Sequence, residues 1–208
     1  ITVVHVVSSS KFALKAHDAG CDAVVAEGFE AGGHNGREET TTLVLIPAVT
    51  GAVNIPVIAA GGIATGRQML AAMVLGAEGV QMGSRFVASI EASSHQAFKK
   101  AVIEATEGDT QLSMKKLTPV RLLKNAFYQQ VAAAEQRGAG VDELQQLLGR
   151  ARAKKGMYEG NLEEGELEIG QVSALLQEIL PAGEIVKNVW KEFEEGLENP
   201  IKKNNFIM

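Results

Sequence analysis

Three glycine-rich segments, each directly after a short apolar run, contain the residue types in this sequence that could do chemistry. They are residues 26–36 (AEGFEAGGHNG), 59–64 (AAGGIA) and 81–86 (QMGSRF). Because glycine lacks a Cβ, such a backbone can approach an anion closely and point several N–H groups at it, and a following helix adds its positive N-terminal end. We therefore predict one phosphate site formed by Gly61, Gly62, Gly83 and Ser84. Two tight turns that bind nothing are the alternative.

His34 is the histidine with the best position for catalysis. It lies in the first glycine-rich segment, between Gly33 and Gly36, and not on an apolar helix face. A neutral imidazole beside a ligand site can donate a hydrogen bond to an oxyanion or accept a proton near neutral pH. A role in stabilising the loop is the alternative. The other histidines are predicted to be structural, and no two histidines are spaced as metal ligands, so no metal site is expected.

The elements that must position these residues alternate between strands and helices. Apolar runs predict strands at residues 1–7, 21–26, 55–60 and 78–82, with helices at about 8–20, 43–53, 66–75 and 94–105. The strands are apolar throughout, as in a parallel sheet covered by helices. A doubly wound sheet and a (β/α)8 barrel both fit. Since four units make half of a barrel of about 250 residues, we expect an α/β fold in which residues 1–110 form the C-terminal half of a TIM barrel, the N-terminal half being absent from this chain.

Residues 111–208 are predicted to form a helical appendage that packs over the barrel mouth. The predicted helices are residues 120–137, 142–155, 171–180 and 184–197, and the tail at 202–205 is expected to fray. Trp190, Val186 and Phe193 are expected to pack in the core. Cys21 is expected to be a small buried residue, and the basic run at 150–155 to be a solvated helix face.

Composition narrows the possible partners. Hydrophobic residues make up 46% of the 208 residues and charged residues 22%, which is typical of a packed globular protein. A net charge of −5 argues against a nucleic-acid partner. One cysteine excludes an internal disulfide, and no apolar run reaches the roughly 18 residues that would indicate a membrane span.

The start of the sequence predicts that the chain is a fragment. It opens directly on the β-branched run ITVVHVV, without an initiator Met or a leading loop. Targeting signals further upstream would not be visible. We expect a cytoplasmic protein and leave a homodimer open as its assembly.

The three glycine-rich segments resemble, in order and spacing, motifs of the nitronate monooxygenases, formerly called 2-nitropropane dioxygenases. The related flavin-type enoyl-acyl-carrier-protein reductases share these motifs. The run at 26–34 matches the signature AEGxEAGGH, residues 56–63 and 79–86 match the next two blocks, and Gly170-Gln171 resembles a late Gly-Gln motif. The resemblance covers nearly the whole chain.

The resemblance implies a TIM barrel that binds FMN non-covalently. The 5′-phosphate would bind the backbone N–H groups of Gly61, Gly62, Gly83 and Ser84, which the glycines had already suggested. It further implies that His34 is the catalytic residue over the isoalloxazine ring. Gly32 and Gly33 would let the loop pass close to that ring, and Gln171 would help to anchor the cofactor region.

Two activities follow from this resemblance. A nitronate monooxygenase would oxidise a small alkyl nitronate with O2 to a carbonyl compound and nitrite. Alternatively, an enoyl reductase would use NADH as reductant and act on an acyl-carrier-protein thioester. In both, the flavin carries the redox chemistry and the protein provides placement and electrostatics. A phosphate-binding barrel without flavin and a flavin-storing module without turnover are the remaining alternatives.

Overall fold

A parallel sheet of four strands positions the glycine-rich segments. The computed structural model describes residues 1–200 and places strands at β1 Val4–Val7, β2 Ala23–Glu27, β3 Gly33–His34, β4 Val57–Ala60, β5 Gly79–Gln81, β6 Thr110–Ser113 and β7 Val120–Leu123. The parallel sheet has the order β1-β2-β4-β5. Its central strands β2 and β4 are largely buried, which explains why their sequences are continuously apolar. The predicted α/β fold with a parallel sheet is confirmed.

Helices follow the parallel strands and cover the sheet. They are α1 Ser10–Asp18, α2 Thr42–Thr50, α3 Gly66–Val74, α4 Ser84–Val87, α5 Gln96–Glu104, α6 Ala126–Gln136, α7 Val141–Leu148 and α8 Ala182–Glu198, with a π-helical turn at Lys154–Tyr158 and a 3-10 turn at Gln171–Leu175. The main core contains aliphatic side chains from α1, α2 and the parallel strands, among them Val24, Ile46 and Ala59. No helix among residues 1–200 is long and apolar enough to cross a membrane.

The register of the parallel strands aligns the three glycine-rich segments. Glu27 pairs with Ala60, and Ala60 pairs with Gln81. These residues are the last of β2, β4 and β5, so all three segments begin at the same edge of the sheet. That edge is where parallel α/β folds bind their ligands.

The prediction of one helix over residues 120–137 is wrong at its start. Val120–Leu123 is the central strand of an antiparallel sheet with the order β3-β7-β6, and its four residues are buried. Helix α6 begins only after Asn125, whose side chain accepts a hydrogen bond from the N–H of Tyr128 at 2.9 Å. Apolar residues at 122, 123, 126 and 127 have the spacing of a helix face, but pairing with β3 and β6 stabilises residues 120–123 as a strand.

Residues 111–200 are therefore not purely helical. The boundary drawn at residue 110 falls within β6, which pairs with β7, and β7 pairs in turn with β3 from the first part of the chain. The predicted helix at 142–155 is also too long, because α7 ends at Leu148 and Gly149 follows with φ of 63°. The expected fraying at 202–205 lies outside the described residues.

Two side-chain predictions in this part need correction. Trp190 and Val186 are 52% and 55% exposed rather than packed in the core, because the buried face of α8 contains Ile185, Phe193 and Gly196 instead. Arg152, predicted on a solvated face, instead donates to the carbonyl oxygens of Leu147, Leu148 and Glu164, and its guanidinium lies 4.8 Å from the ring centre of Phe127. Cys21 is half-buried against the main core.

The close packing of α3 on α8 depends on Gly66. A Cβ at this position would overlap the backbone of Val189 and Phe193, and the Gly66 N–H donates to Glu192 Oε2 at 2.8 Å. We expect Gly66→Ala to lower the free energy of unfolding of the full-length protein by about 3 kcal/mol, measured by urea denaturation. Gly183→Ala is the matched control, since no atom lies within 4 Å of its added Cβ. Equal stability of the two variants would contradict this packing.

Candidate active site

The three glycine-rich segments meet in one cleft at the carboxyl edge of the parallel sheet. The cleft has a volume of about 850 Å³ including its open mouth. One side is formed by the strand ends and their turns, and the other by the chain after α7. Its lining includes Glu27, Glu30, Gly32, Gly61, Gly62, Gly83, Ser84, Phe98, Met157, Tyr158, Glu168, Ile169 and Val172. Five of the predicted site residues therefore line this cleft: Gly32, Gly61, Gly62, Gly83 and Ser84.

The two turns after β4 and β5 present unused hydrogen-bond donors to this cleft. Gly61 and Gly62 have φ of 85° and 69°, a backbone conformation that favours glycine. Within residues 1–200, no hydrogen bond uses the N–H of Gly62, Gly83 or Ser84. Around Gly83 there is open space, since no atom lies within 4 Å of where its Cβ would be. Unpaired N–H groups beside open space are what an anion requires.

Glu30 and Thr42 connect the first glycine-rich segment to the second. The Glu30 carboxylate accepts hydrogen bonds from the Thr42 N–H at 3.0 and 3.1 Å, at the start of α2. Thr42 Oγ1 lies 2.9 Å from both Glu30 Oε2 and the carbonyl oxygen of Gly61. Neither residue was predicted for the site; the Thr-rich run before α2 is the sequence signal that could have identified the Thr42 position as a helix start.

A second junction joins Gly32, Ser84 and Gly170. A Cβ at Gly32 would lie 2.5 Å from the Gly170 nitrogen, so the backbones of the two segments are in direct contact. The Gly170 N–H donates to Ser84 Oγ at 2.9 Å, and the Gln171 N–H donates to the Glu30 carbonyl oxygen at 2.9 Å. The Gln171 side chain lies by a separate surface depression with Thr106 and Thr110. Its part in anchoring a cofactor stays a prediction, and the contact described here is made by its backbone.

His34 is held at the margin of the cleft by backbone pairing. It forms β3 with Gly33, opposite Val120 of β7, and its side chain is exposed. The neighbouring Asn35 fixes the loop, because its Nδ2 donates to the carbonyl oxygens of Ala31 and Gly33. His34 itself is not among the residues that line the cleft. Its catalytic role stays a prediction.

Arg121 supports the same loop and was not predicted. It is 2% exposed, and its Nε and Nη2 donate to the carbonyl oxygen of Phe29 at 3.2 and 3.0 Å. Its guanidinium also stacks on the Phe29 ring, 4.4 Å from the ring centre. Burial lowers the pKa of Arg121, and the charges of Glu30 and Glu39 oppose that shift. The helical spacing of the apolar residues around Arg121 hides the strand that places it beside this loop.

Burial shifts the pKa of two carboxyl groups in the cleft wall. Desolvation raises the pKa of Glu27, and it also raises the pKa of Glu168, where His34 opposes the shift. Both carboxyl groups are thus easier to protonate than in water, and the carboxylate of Glu30 is hydrogen-bonded at the start of α2. Among residues 1–200, no group of three or more His, Cys, Asp or Glu side chains could hold a metal ion.

Glu166, close to this cleft, should make stability depend on pH. Burial first, and then the charge of Glu168, raise its pKa from 4.5 to about 7. The folded protein therefore binds the proton more tightly than the unfolded chain, and the free energy of unfolding falls as pH rises from 4.5 to about 7. Glu166→Gln should remove this loss and be more stable than the parent at pH 8, by the order of 2 kcal/mol.

Urea denaturation of the full-length protein at pH 5 and pH 8 tests this expectation. Glu163→Gln is the control, since Glu163 is exposed in the same segment. A stability difference between Glu166→Gln and the parent that is the same at both pH values would contradict it.

Comparison with known proteins agrees with this site. The family model described as nitronate monooxygenase matches residues 1–192. The chain belongs to the nitronate monooxygenase family. A probable nitronate monooxygenase of Staphylococcus saprophyticus is 35% identical over 206 residues, which cover 94% of this chain and 57% of that protein. The family predicted from the glycine-rich motifs is confirmed.

Two solved structures are similar to this nitronate monooxygenase family member in fold as well as in sequence. FabK from Thermotoga maritima is 43% identical, with a TM-score of 0.89 over 95% of this chain and 62% of that one. The nitroalkane oxidase from Streptomyces ansochromogenes is 31% identical, with a TM-score of 0.78 over 95% of this chain and 58% of the other. The predicted barrel-type α/β fold is confirmed, and the chain spans about 60% of the length of these proteins.

Proposed function

We propose that this chain is the phosphate-binding and catalytic part of an FMN-dependent oxidoreductase that oxidises alkyl nitronates with O2 to a carbonyl compound and nitrite. The observation that carries the proposal is the convergence of two glycine turns, with unused N–H groups at Gly62, Gly83 and Ser84, on one cleft beside the His34 loop. The match to the nitronate monooxygenase family model over residues 1–192 supports the same activity.

The residues of the cleft fit the phosphate end of FMN. The free N–H groups supply donors, and the open space at Gly83 leaves room for an oxyanion. When bound, FMN supplies the electron transfer that amino-acid side chains cannot perform. The chain's own residues bind it, orient the substrate and exclude water.

His34 is the residue that acts on the substrate in this proposal. A protonated ring hydrogen-bonds the nitro group of an anionic nitronate and orients it, whereas a neutral ring removes the α-proton of a neutral nitroalkane. The backbone pairing of β3 with β7 and the hydrogen bonds of Asn35 restrict where the ring can lie. Apolar side chains of Phe98, Ile169 and Val172 in the cleft suit the alkyl part of the substrate.

NADH-dependent reduction of an enoyl thioester on acyl-carrier protein is the second candidate. It is favoured by the 43% identity to FabK from Thermotoga maritima over 95% of this chain, against 31% to the nitroalkane oxidase. In that reaction His34 would hydrogen-bond the thioester carbonyl or supply a proton.

One set of measurements on the purified full-length protein tests both candidates. We expect a yellow protein that releases FMN on denaturation and that produces nitrite from propyl nitronate in air. Oxidation of NADH with crotonyl thioester, without nitrite production, would replace the first candidate by the second. A colourless protein that takes up no added FMN would contradict both.

A further inference from the structure

Glu168 is a half-buried carboxyl group in the wall of the cleft that the proposed function leaves without a role. It lies in the segment after the π-helical turn, where it forms an isolated antiparallel bridge with Leu122 of β7. The adjacent Leu167 accepts a hydrogen bond from the Leu123 N–H at 2.9 Å. This segment is therefore attached to β7 by its backbone.

The pairing of β7 places Glu168 in line with His34. Strand β6 occupies one edge of β7 along its whole length, so β3 and the Glu168 segment share the other edge. On that edge His34 is opposite Val120 and Glu168 is opposite Leu122. Residues two positions apart along a strand project to the same face, about 7 Å from each other. Among residues 1–200 no hydrogen bond or ion pair joins the two side chains, so they interact through their charges over this longer distance.

Gly33 leaves the space that the carboxyl group of Glu168 occupies. A Cβ at Gly33 would lie 2.6 Å from Glu168 Oε2. The carboxyl group is thus packed directly against the residue that precedes His34. Glu168 therefore lies next to the backbone of the His34 loop.

The other charged groups around Glu168 do not offer it a direct partner. Glu166 lies two residues earlier in the same segment and is also acidic, and Glu27 and Glu30 lie in the same cleft wall. Arg121 of β7 donates instead to Phe29 and Thr110, and Arg152 donates to backbone carbonyl oxygens. Burial raises the pKa of Glu168, and His34 is the charge that lowers it again.

We propose that Glu168 is the positioning residue of His34: its carboxylate is the counter-charge that stabilises the protonated ring at the margin of the cleft. This proposal rests on the proposed function in one respect, that the substrate bound by the His34 ring is a nitronate. A protonated His34 attracts an anionic nitronate, and the carboxylate of Glu168 keeps the His34 ring protonated.

The test follows the titration of the His34 ring in the full-length protein by proton NMR, with the signal assigned by its loss in His34→Gln. In Glu168→Gln we expect the midpoint of this titration to move to lower pH by about 1 unit. In Glu168→Asp, which keeps the charge, the midpoint should move by less. Glu166→Gln is the matched control, because it removes a like charge two residues away and should change the midpoint little. An unchanged midpoint in Glu168→Gln would overturn the proposal.

A kinetic measurement separates this proposal from the proposed function. With propyl nitronate at neutral pH, Glu168→Gln should raise KM several-fold with FMN still bound, because fewer rings are protonated. If the protein produces no nitrite at all, the function is wrong, while the NMR titration still decides on the pairing. If His34→Gln abolishes nitrite production but Glu168→Gln leaves both midpoint and KM unchanged, the function stands and the pairing is refuted.

Discussion

Turnover of the full-length protein is expected to fall by about 10²–10⁴-fold when His34 is replaced by glutamine, because a positioned acid–base group contributes a factor of that size. FMN should stay bound, since the glycine turns that we assign to its phosphate lie in other segments. Glutamine is chosen because it keeps a polar side chain of similar length in the exposed position of His34. Steady-state nitrite release and the flavin absorption spectrum measure the two effects separately.

His17→Gln is the control for this substitution. His17 is exposed on α1, where its side chain lies 3.6 Å from Asp18, and it does not line the cleft. The control should therefore keep both the activity and the flavin of the parent. If His34→Gln turned over at the rate of this control, His34 would have no part in the reaction, and the cleft would have to act through its other side chains.

Gly83→Val is expected to weaken FMN binding by about 10²-fold or more while leaving the protein folded. The added side chain meets no protein atom within 4 Å of its Cβ, so it should cause little strain. It would instead occupy space beside the N–H groups of Gly83 and Ser84. The loss of charge-assisted hydrogen bonds costs about 1.5–3 kcal/mol each, and each 1.4 kcal/mol is a factor of ten.

Equilibrium titration of the flavin-free full-length protein with FMN measures this loss, and urea denaturation without FMN measures stability. Gly140→Val is the matched control, since its Cβ also has open space but lies before α7, away from the cleft. Wild-type affinity for FMN in Gly83→Val would exclude the turn after β5 from the phosphate site. A loss of stability in Gly83→Val that Gly140→Val does not show would mean that the substitution acts through folding.

Much of the fold followed from local patterns. The apolar runs that predicted β2, β4 and β5 are strands, of which β2 and β4 are largely buried, and the glycine-rich segments begin at their ends. Helix α3 begins where the sequence predicts it, after Thr65, whose side chain accepts a hydrogen bond from the Gln68 N–H. Such signals can be read from sequence because strand burial and helix capping depend on residues a few positions apart.

The second half of the chain was less predictable, because its structure depends on distant pairing. Nothing in residues 120–123 by themselves distinguishes a strand from a helix, and β3 has only two residues. The choice is made when β7 pairs with β6 on one edge and with β3 on the other. The 3-10 turn at Gln171–Leu175 is likewise held by contacts with residues more than 80 positions away, such as Ser84.

By itself the sequence determined the family, the alternation of strands and helices, and the glycines that form the turns at Gly61-Gly62 and Gly83-Ser84. These features are local: a positive φ, as at Gly61 and Gly62, and a close approach of the backbone to a ligand both favour glycine, so they are visible in the residue type. Only the tertiary structure decided that Glu168 and Arg121 approach the His34 loop from separate segments. The residue types of Glu168 and Arg121 do not reveal this position. It follows from the register of β7, which is set by packing between parts of the chain that are far apart in sequence.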